Sequence, residues 1–369
     1  MGLNAPRVLV LGAVLGQPKG GVWRHNRELL PRAARLLNEG GGSLAVLEGR
    51  DPCAFDLPRE VERIPSSVPA HPVLRRALAE GHALRRLLDE RSAAGRPFEL
   101  VHTAHQPVPR GFETPLALLV HDLRALELAH SPFSRRLVAR EILGRAARRA
   151  AVVMTVSEAM ADELAAKLGH ERAAVRVVPN AADHFQPLPR RLGPGAPLVC
   201  VAHLEPRKNQ ELLLEALSHD PGLPDAHFAG AAKGDEEARL RSRAAELGVA
   251  ERVRFLGVLS DEELQELYAQ AACVVLPSRL EGFGIVALEA QLAGVPLALS
   301  AIPAHLEVAA PGTPSFAPAD ARACAAAIRS ALVATPDELA AAERSAHRYR
   351  WDDSARALLS AWSAASKRH

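Results

Sequence analysis

Aromatic residues are scarce in this chain, at 4% of 369 residues. The core must therefore be assembled from leucine, valine and alanine rather than from rings. Cysteine is equally sparse. Cys53, Cys200, Cys273 and Cys324 lie far apart and mostly within apolar runs, so they read as buried reduced thiols rather than disulfides or a zinc site. No apolar run approaches the ~18 residues that a membrane span requires. The opening segment Met1-Gly-Leu-Asn-Ala-Pro-Arg7 has one basic residue and no cleavage pattern, which argues against a secretory leader and for a cytoplasmic protein. A Gly-x-Gly-x-x-Gly fingerprint is missing from the first strand-to-helix turn, so a nicotinamide cofactor is poorly supported. Charge of one sign is missing overall, since the net value is +2; no nucleic-acid partner is expected.

With 48% hydrophobic and 24% charged residues, the composition describes a globular protein. Its length suits two domains that each bury a core. Charge is unevenly spread. Residues 1–185 hold 26 basic and 20 acidic side chains, and the remainder 19 and 23. A basic first half is compatible with peripheral contact with anionic lipid or with a phosphorylated acceptor, although Arg-rich helices such as Arg135–Arg149 are also what a solvated face looks like.

Apolar strands alternate with amphipathic helices throughout, the pattern of parallel sheets with helices on both faces. Strands are predicted at Val8–Leu11, Ser43–Leu47, Phe98–His102, Pro115–Val120, Ala151–Val156 and Val175–Val178, with helices over 73–93, 133–149 and Glu158–Leu168. The stretch Asp51–Pro72 is proline-rich and shows little pattern. A linker is expected at Pro187-Leu-Pro-Arg-Arg-Leu-Gly-Pro-Gly-Ala-Pro197. Beyond it the alternation restarts, with strands near Leu198–Val201, Ala226–Gly230, Val253–Leu256, Cys273–Leu276 and Pro296–Leu299. The predicted domains are 1–186 and 196–349, with a last helix within 350–369.

The densest chemistry lies in Pro277-Ser-Arg-Leu-Glu281-Gly-Phe283-Gly284-Ile285-Val-Ala-Leu-Glu289-Ala-Gln-Leu-Ala-Gly294-Val-Pro296. Strand, glycine loop and helix offer backbone N–H groups and a positive helix end to an anion. A carboxylate accepts two hydrogen bonds at once and suits a vicinal diol. Glu281 and Glu289, eight positions apart, therefore suit the hydroxyls of a sugar or ribose, while the loop suits a phosphate. A second constellation, His203-Leu-Glu-Pro-Arg207-Lys208-Asn209, places adjacent cations at a strand-to-helix turn, where they suit a diphosphate.

These segments resemble the Glu-x7-Glu and Glu-Pro-Arg-Lys-Asn motifs of the family 4 glycosyltransferases, retaining enzymes of the GT-B fold. Thr155-Val-Ser157-Glu158 and Val178-Pro179-Asn180-Ala-Ala-Asp183 are similar to further signatures of that family, with Ala181 standing where glycine is usual. The likeness runs from about residue 7 to residue 365. It implies two Rossmann-like domains with parallel sheets facing a central cleft, and a C-terminal helix returning to the N-terminal domain. It assigns catalytic roles to His121, Arg207, Lys208 and Glu281, with His121 at the donor sugar. Donor binding falls to Gly20, Gly21, Phe283, Gly284, Ile285 and Glu289. Many members have arginine at the position of His203, which is therefore left out of the phosphate ligands. Glu307, in a departure from the family's Pro-Glu-Val, is read as structural; Ser157 is read as a helix cap, and Asp122 either orients His121 or caps the next turn.

No Asp-x-Asp ends a strand, so metal-independent chemistry without a cofactor is expected. The implied reaction moves a hexose from a nucleoside-diphosphate sugar, UDP- or GDP-linked, to a hydroxyl on a saccharide, lipid-linked or small-molecule acceptor. Two alternatives stay open: another GT-B enzyme of sugar nucleotides, such as an epimerase or disaccharide synthase, and a non-catalytic sugar-nucleotide-binding protein.

Overall fold

The computed structural model describes residues 5–17, 20–127 and 133–367. The chain divides into two compact units. Unit 1 comprises Met1–Asn180 and Trp351–His369, and unit 2 comprises Ala181–Arg350.

Unit 1 opens with β1 (Arg7–Gly12), α1 (Gly20–Glu39), β2 (Ser43–Glu48), β3 (Glu62–Ile64), α2 (Val73–Ala93), β4 (Leu100–Thr103) and β5 (Leu116–Val120). A short α3 (Arg124–Glu127), α4 (Phe133–Arg149), β6 (Val152–Thr155), α5 (Glu158–Leu168) and β7 (Val175–Val177) follow. The strands form one sheet in the order β3-β2-β1-β4-β5-β6-β7, and every pairing is parallel. Strands covered on both faces read as continuous apolar runs, and β5, Leu-Ala-Leu-Leu-Val, is buried along its whole length. The core gathers Leu9, Leu11, Leu84, Leu118 and Met160. Local chemistry ends the helices: the Ser157 hydroxyl accepts the Met160 N–H at 2.9 Å, and Gly169, at φ +64°, stops α5 in the left-handed region.

Unit 2 repeats the plan with β8 (Leu198–Val201), α6 (Gln210–His219), β9 (Ala226–Ala229), α7 (Glu236–Glu246), β10 (Val253–Gly257), α8 (Asp261–Gln270) and β11 (Cys273–Leu276). Next come α9 (Ile285–Leu292), β12 (Leu297–Ser300), α10 (Pro303–Val308), β13 (Ser315–Phe316), α11 (Ala321–Leu332) and α12 (Pro336–Ala346). Its parallel sheet has the order β10-β9-β8-β11-β12-β13, over a core that includes Leu198, Leu213, Phe228, Val275 and Ile328. The last helix, α13 (Trp351–Ser366), belongs to unit 1, where Trp351 and Trp362 are fully buried. All four cysteines are free and buried.

Two expectations change. The boundary falls at Asn180/Ala181, ahead of the proline-rich stretch, because that stretch is tied to α8: the Arg191 N–H donates to the Ala269 carbonyl at 2.8 Å and Arg190 to the Tyr268 carbonyl at 2.9 Å. The unpatterned stretch contains β3, a three-residue edge strand with only one neighbour. Nothing buries both its faces, so no apolar run announces it. Among the described residues no helix is long and apolar enough to cross a membrane.

Candidate functional site

Both sheets are doubly wound. The chain starts in the middle, builds to one edge, then crosses to the other side. Ligands in such sheets bind beyond the carboxyl ends of the strands where the order reverses. In unit 2 that point lies between β8 and β11, and the loops leaving those two strands carry the cations and the glutamate–glycine segment.

Asn209 joins the two loops. It adopts the left-handed conformation at φ 56°, and its side-chain amide donates to the Pro277 carbonyl at 3.0 Å and to the Pro318 carbonyl at 2.9 Å. The Arg279 N–H donates to the Arg207 carbonyl at 2.8 Å. So fixed, Arg207 Nη1 reaches Glu281 Oε2 at 3.2 Å and the Leu280 carbonyl at 3.1 Å. Lys208 Nζ pairs with Glu281 Oε1, and the Ser278 hydroxyl donates to the same oxygen at 2.8 Å. Burial pushes the Glu281 carboxyl up, but Lys208 and Arg207 outweigh it and bring the pKa down to about 2. On the far side, Glu205 receives Arg207 Nη2 at 2.7 Å and Lys233 Nζ at 2.7 Å. Burial raises its carboxyl too, and Lys233 with Arg207 brings it below the usual value. The two motif cations are thus bracketed by carboxylates that stay ionised at neutral pH.

Gly284 closes the loop at φ +119°, directly before α9. A side chain there would be strained and would also press on Val308. No side chain caps α9, so its first N–H groups keep the positive end of the helix available to an anion. Phe283 is 3% exposed and meets Tyr349 edge to face at 5.5 Å. Its ring is core, and only its backbone can serve a ligand. Beneath the loop, His305 is buried, its Nδ1 lying 3.0 Å from the Ser300 hydroxyl, which in turn donates to the Ser278 carbonyl at 2.5 Å. Glu289 lies buried on α9. The Tyr268 hydroxyl donates to its Oε2 at 3.0 Å, and His184 Nε2 stands 3.8 Å from Oε1.

In unit 1, His121 follows the C-terminal end of β5. Its ring stands against that of His25 at 4.6 Å and 88°. Burial first, and the neighbouring His25 and His102 second, hold it neutral, well below the ordinary imidazole value. Asp122 accepts the Arg124 N–H at 3.2 Å, so it caps the next turn rather than orienting His121. Gly20 and Gly21 open α1 itself rather than forming a loop. Gly21 has open space where a side chain would begin, whereas a Cβ at Gly12 or Gly16 would collide with Val46 or Asp51.

Five partners escaped the sequence reading: Glu205, Lys233, Ser278, Tyr268 and His25. Glu205 stands inside the quoted cation motif, and Lys233 sits in a glycine-bracketed loop, Gly230–Gly234, right after β9. Both were in view. Tyr268 and His25 lie on helices and had no signal beyond residue type.

A doubly wound domain with cations and a glycine-opened helix at its switch point is an arrangement suited to phosphorylated ligands. The comparisons carry that further. The model "Glycosyl transferases group 1" matches residues 194–348, and "Glycosyltransferase Family 4" matches residues 19–185. The D-inositol 3-phosphate glycosyltransferase of Geodermatophilus obscurus is 32% identical over 73% of this chain and 62% of its own length. The glycogen synthase of Mycobacterium tuberculosis is 32% identical over 74% and 69%. Among solved structures, Anabaena HepE in complex with UDP-glucose superposes with a TM-score of 0.68 at 20% identity, covering 96% of this chain and 98% of that one, a likeness of fold. The chain belongs to the family 4 glycosyltransferases and has the GT-B fold. It spans less than two thirds of the first of these relatives.

Proposed function

We propose that this protein is a retaining glycosyltransferase that moves a hexose from a nucleoside-diphosphate sugar to a hydroxyl acceptor. The observation that carries this is the convergence of Arg207 and Lys208 with Glu281 beside the Gly284-opened end of α9. The relatives named as glycosyltransferase and glycogen synthase, and the fold shared with a protein solved with UDP-glucose, support the donor class. In this reading the diphosphate lies on Arg207, Lys208 and the Gly284–Ile285 backbone. Glu289 holds the ribose, Glu281 orients both cations and faces the sugar, and His121 contacts the transferring hexose.

The bond from the anomeric carbon to the β-phosphate oxygen breaks as the acceptor oxygen bonds to the same face. The acceptor proton passes to the departing diphosphate oxygen, so no protein nucleophile is needed. Negative charge grows on the β-phosphate as the bond lengthens, and preorganised cations then stabilise the transition state more than the ground state. Neutralisation by these cations alone makes the reaction metal-independent. Among the described residues no group of three or more His, Cys, Asp or Glu side chains is placed to hold a metal ion.

A screen of UDP-, GDP- and ADP-sugars by thermal shift tests the donor class, because a ligand at 100 Kd stabilises by about 2.7 kcal/mol. NMR of the product's anomeric proton then reads stereochemistry. No shift with any sugar nucleotide, or an inverted product, would overturn the assignment. Peripheral membrane contact is part of the same reading. On α4, Leu137 and Val138 are 54% and 57% exposed, Val138 lines an apolar groove with Ala139 and Ile142, and six arginines share the helix. A basic helix with exposed apolar residues binds anionic lipid surfaces. Flotation with phosphatidylglycerol vesicles, but not with phosphatidylcholine vesicles, is expected, and Leu137→Asp should abolish it; equal flotation with both lipids, or none, removes the membrane contact.

A further inference from the structure

We propose that His25 is a positioning residue for the transfer reaction: it sets the orientation of the His121 ring and ties it to the two points where the chain leaves and re-enters unit 1. The proposal rests on the reading of His121 as a group that contacts the transferring hexose.

His25 lies in the second turn of α1 and is 1% exposed. Its Nδ1 stands 2.6 Å from Asn180 Oδ1. An amide oxygen can only accept, so the imidazole carries its proton on Nδ1. Burial keeps the ring neutral, with a pKa lowered to about 4, against a smaller opposing contribution from Asn180. The same ring meets His121 at 4.6 Å, nearly perpendicular, and Trp351 at 5.9 Å and 75°. Asn180 is the last residue of the first segment of unit 1, and Trp351 is the first residue of the segment that returns to it.

Two further contacts fasten the same knot. The Ser354 hydroxyl donates to the Pro179 carbonyl at 2.7 Å, and Arg32 of α1 pairs with Asp352 at 3.2 Å. One buried side chain thus touches both chain crossings and the imidazole at the end of β5. His121 Nε2 is buried without a hydrogen-bond partner among the described residues. That nitrogen gives the ring no polar anchor, which leaves the edge-to-face contact with His25 to help set its angle. Misplacing a reacting group by about 1 Å can cost on the order of 10²-fold in rate, so such a contact reaches the chemistry without touching substrate.

Two substitutions separate the functions of His25. His25→Asn supplies an N–H where Nδ1 was and removes the ring. His25→Phe keeps a ring against His121 and removes the bond to Asn180. Steady-state kinetics, melting temperature and the ¹³C-edited NMR signal of the His121 ring are to be read for each variant of the full chain. His25→Asn should lower kcat by roughly 10-fold or more and shift the His121 signal, while donor KM changes less than about 2-fold. His25→Phe should keep most of kcat and lose melting temperature instead, because Asn180 is left unpaired. On a His121→Ala background, His25→Asn should cost nothing further, since the two act through one ring. An unmoved His121 signal, a kcat that merely follows melting temperature across both variants, or additive losses in the double variant would overturn the proposal. A His121→Ala variant with normal kcat would instead strike the underlying reading of His121, and the proposal with it.

Discussion

The two units share one topology and solve opposite electrostatic problems. At the switch point of unit 2, Arg207, Lys208 and Lys233 are interleaved with Glu205 and Glu281. Burial raises both carboxyls, and their cationic neighbours bring them below the ordinary value. In unit 1 burial keeps three imidazoles, His25, His102 and His121, neutral. The difference teaches that a doubly wound sheet prescribes where a ligand binds but not which charge state meets it. Unit 2 gathers paired charges at its switch point, and unit 1 holds a set of buried neutral imidazoles.

The sharpest way to break this contrast is to remove a cation. Lys208→Ala should lower kcat by on the order of 10²-fold with a smaller change in donor Kd, because in the proposed reaction its attraction grows as the diphosphate departs. Arg207→Ala should do the same and also weaken ground-state binding, since a guanidinium can hold the diphosphate through two bonds. Steady-state kinetics on the folded variant decide the matter: a near-normal kcat for Lys208→Ala refutes the phosphate assignment.

Next in size are the carboxylates. Glu289→Gln should weaken nucleotide binding by roughly 1.5–3 kcal/mol, read by titration calorimetry. Glu281→Gln should act chiefly on turnover, because Glu281 orients Arg207 and Lys208 rather than facing the ribose. Equal binding and equal turnover in both variants would take the Glu-x7-Glu segment out of the site.

Acid separates the units without mutation. Glu281 has a folded pKa near 2 against an ordinary 4.5, so it contributes stability that is present above about pH 4.5 and lost as pH falls toward 2. That contribution is on the order of 3 kcal/mol. His25 acts in the same direction at higher pH. Its folded pKa near 4 lies below the ordinary 6.5, so the unfolded chain binds more protons between those values and stability declines as soon as pH drops below about 6.5. Trp23, Trp351 and Trp362, the chain's three tryptophans, all belong to unit 1. Urea unfolding followed by tryptophan fluorescence should therefore lose midpoint between pH 6.5 and 4, with a flatter profile in His25→Asn. A midpoint constant from pH 7 to pH 5 would contradict the neutral-imidazole description.

The smallest expected effect is none. Excess EDTA should leave the rate unchanged, because in the proposed reaction protein cations handle the leaving charge. Loss of activity on chelation, restored by Mg²⁺ or Mn²⁺, would show that unit 2 does not neutralise the diphosphate alone.

Much of this was legible beforehand, and the reasons are local. Apolar runs such as Leu-Ala-Leu-Leu-Val reported buried strands, and Ser157 announced its helix start. Arg207, Lys208, Glu281 and Gly284 stood out because each follows a predicted strand, where parallel sheets collect their ligands. The proline-rich stretch misled because composition reports a segment's stiffness but not its attachments. Backbone and side-chain bonds to α8 place it inside unit 2.

The sequence by itself determined the alternation of strands and helices, the parallel character of both sheets and the residue types at the strand ends. These follow from periodicity and from the burial of both sheet faces. Only the tertiary structure decided which loops become neighbours. Arg207 and Glu281 are separated by 74 positions, and they meet because β8 and β11 lie side by side across the reversal of strand order. His25 and Asn180 are separated by 155 positions, and they meet because α1 packs where the chain leaves unit 1. Periodicity says which face of a segment is buried; it carries no information about which partner covers that face. The charge state of Glu281 was set by its cationic partners, and that of His25 by burial against a smaller opposing contribution from Asn180.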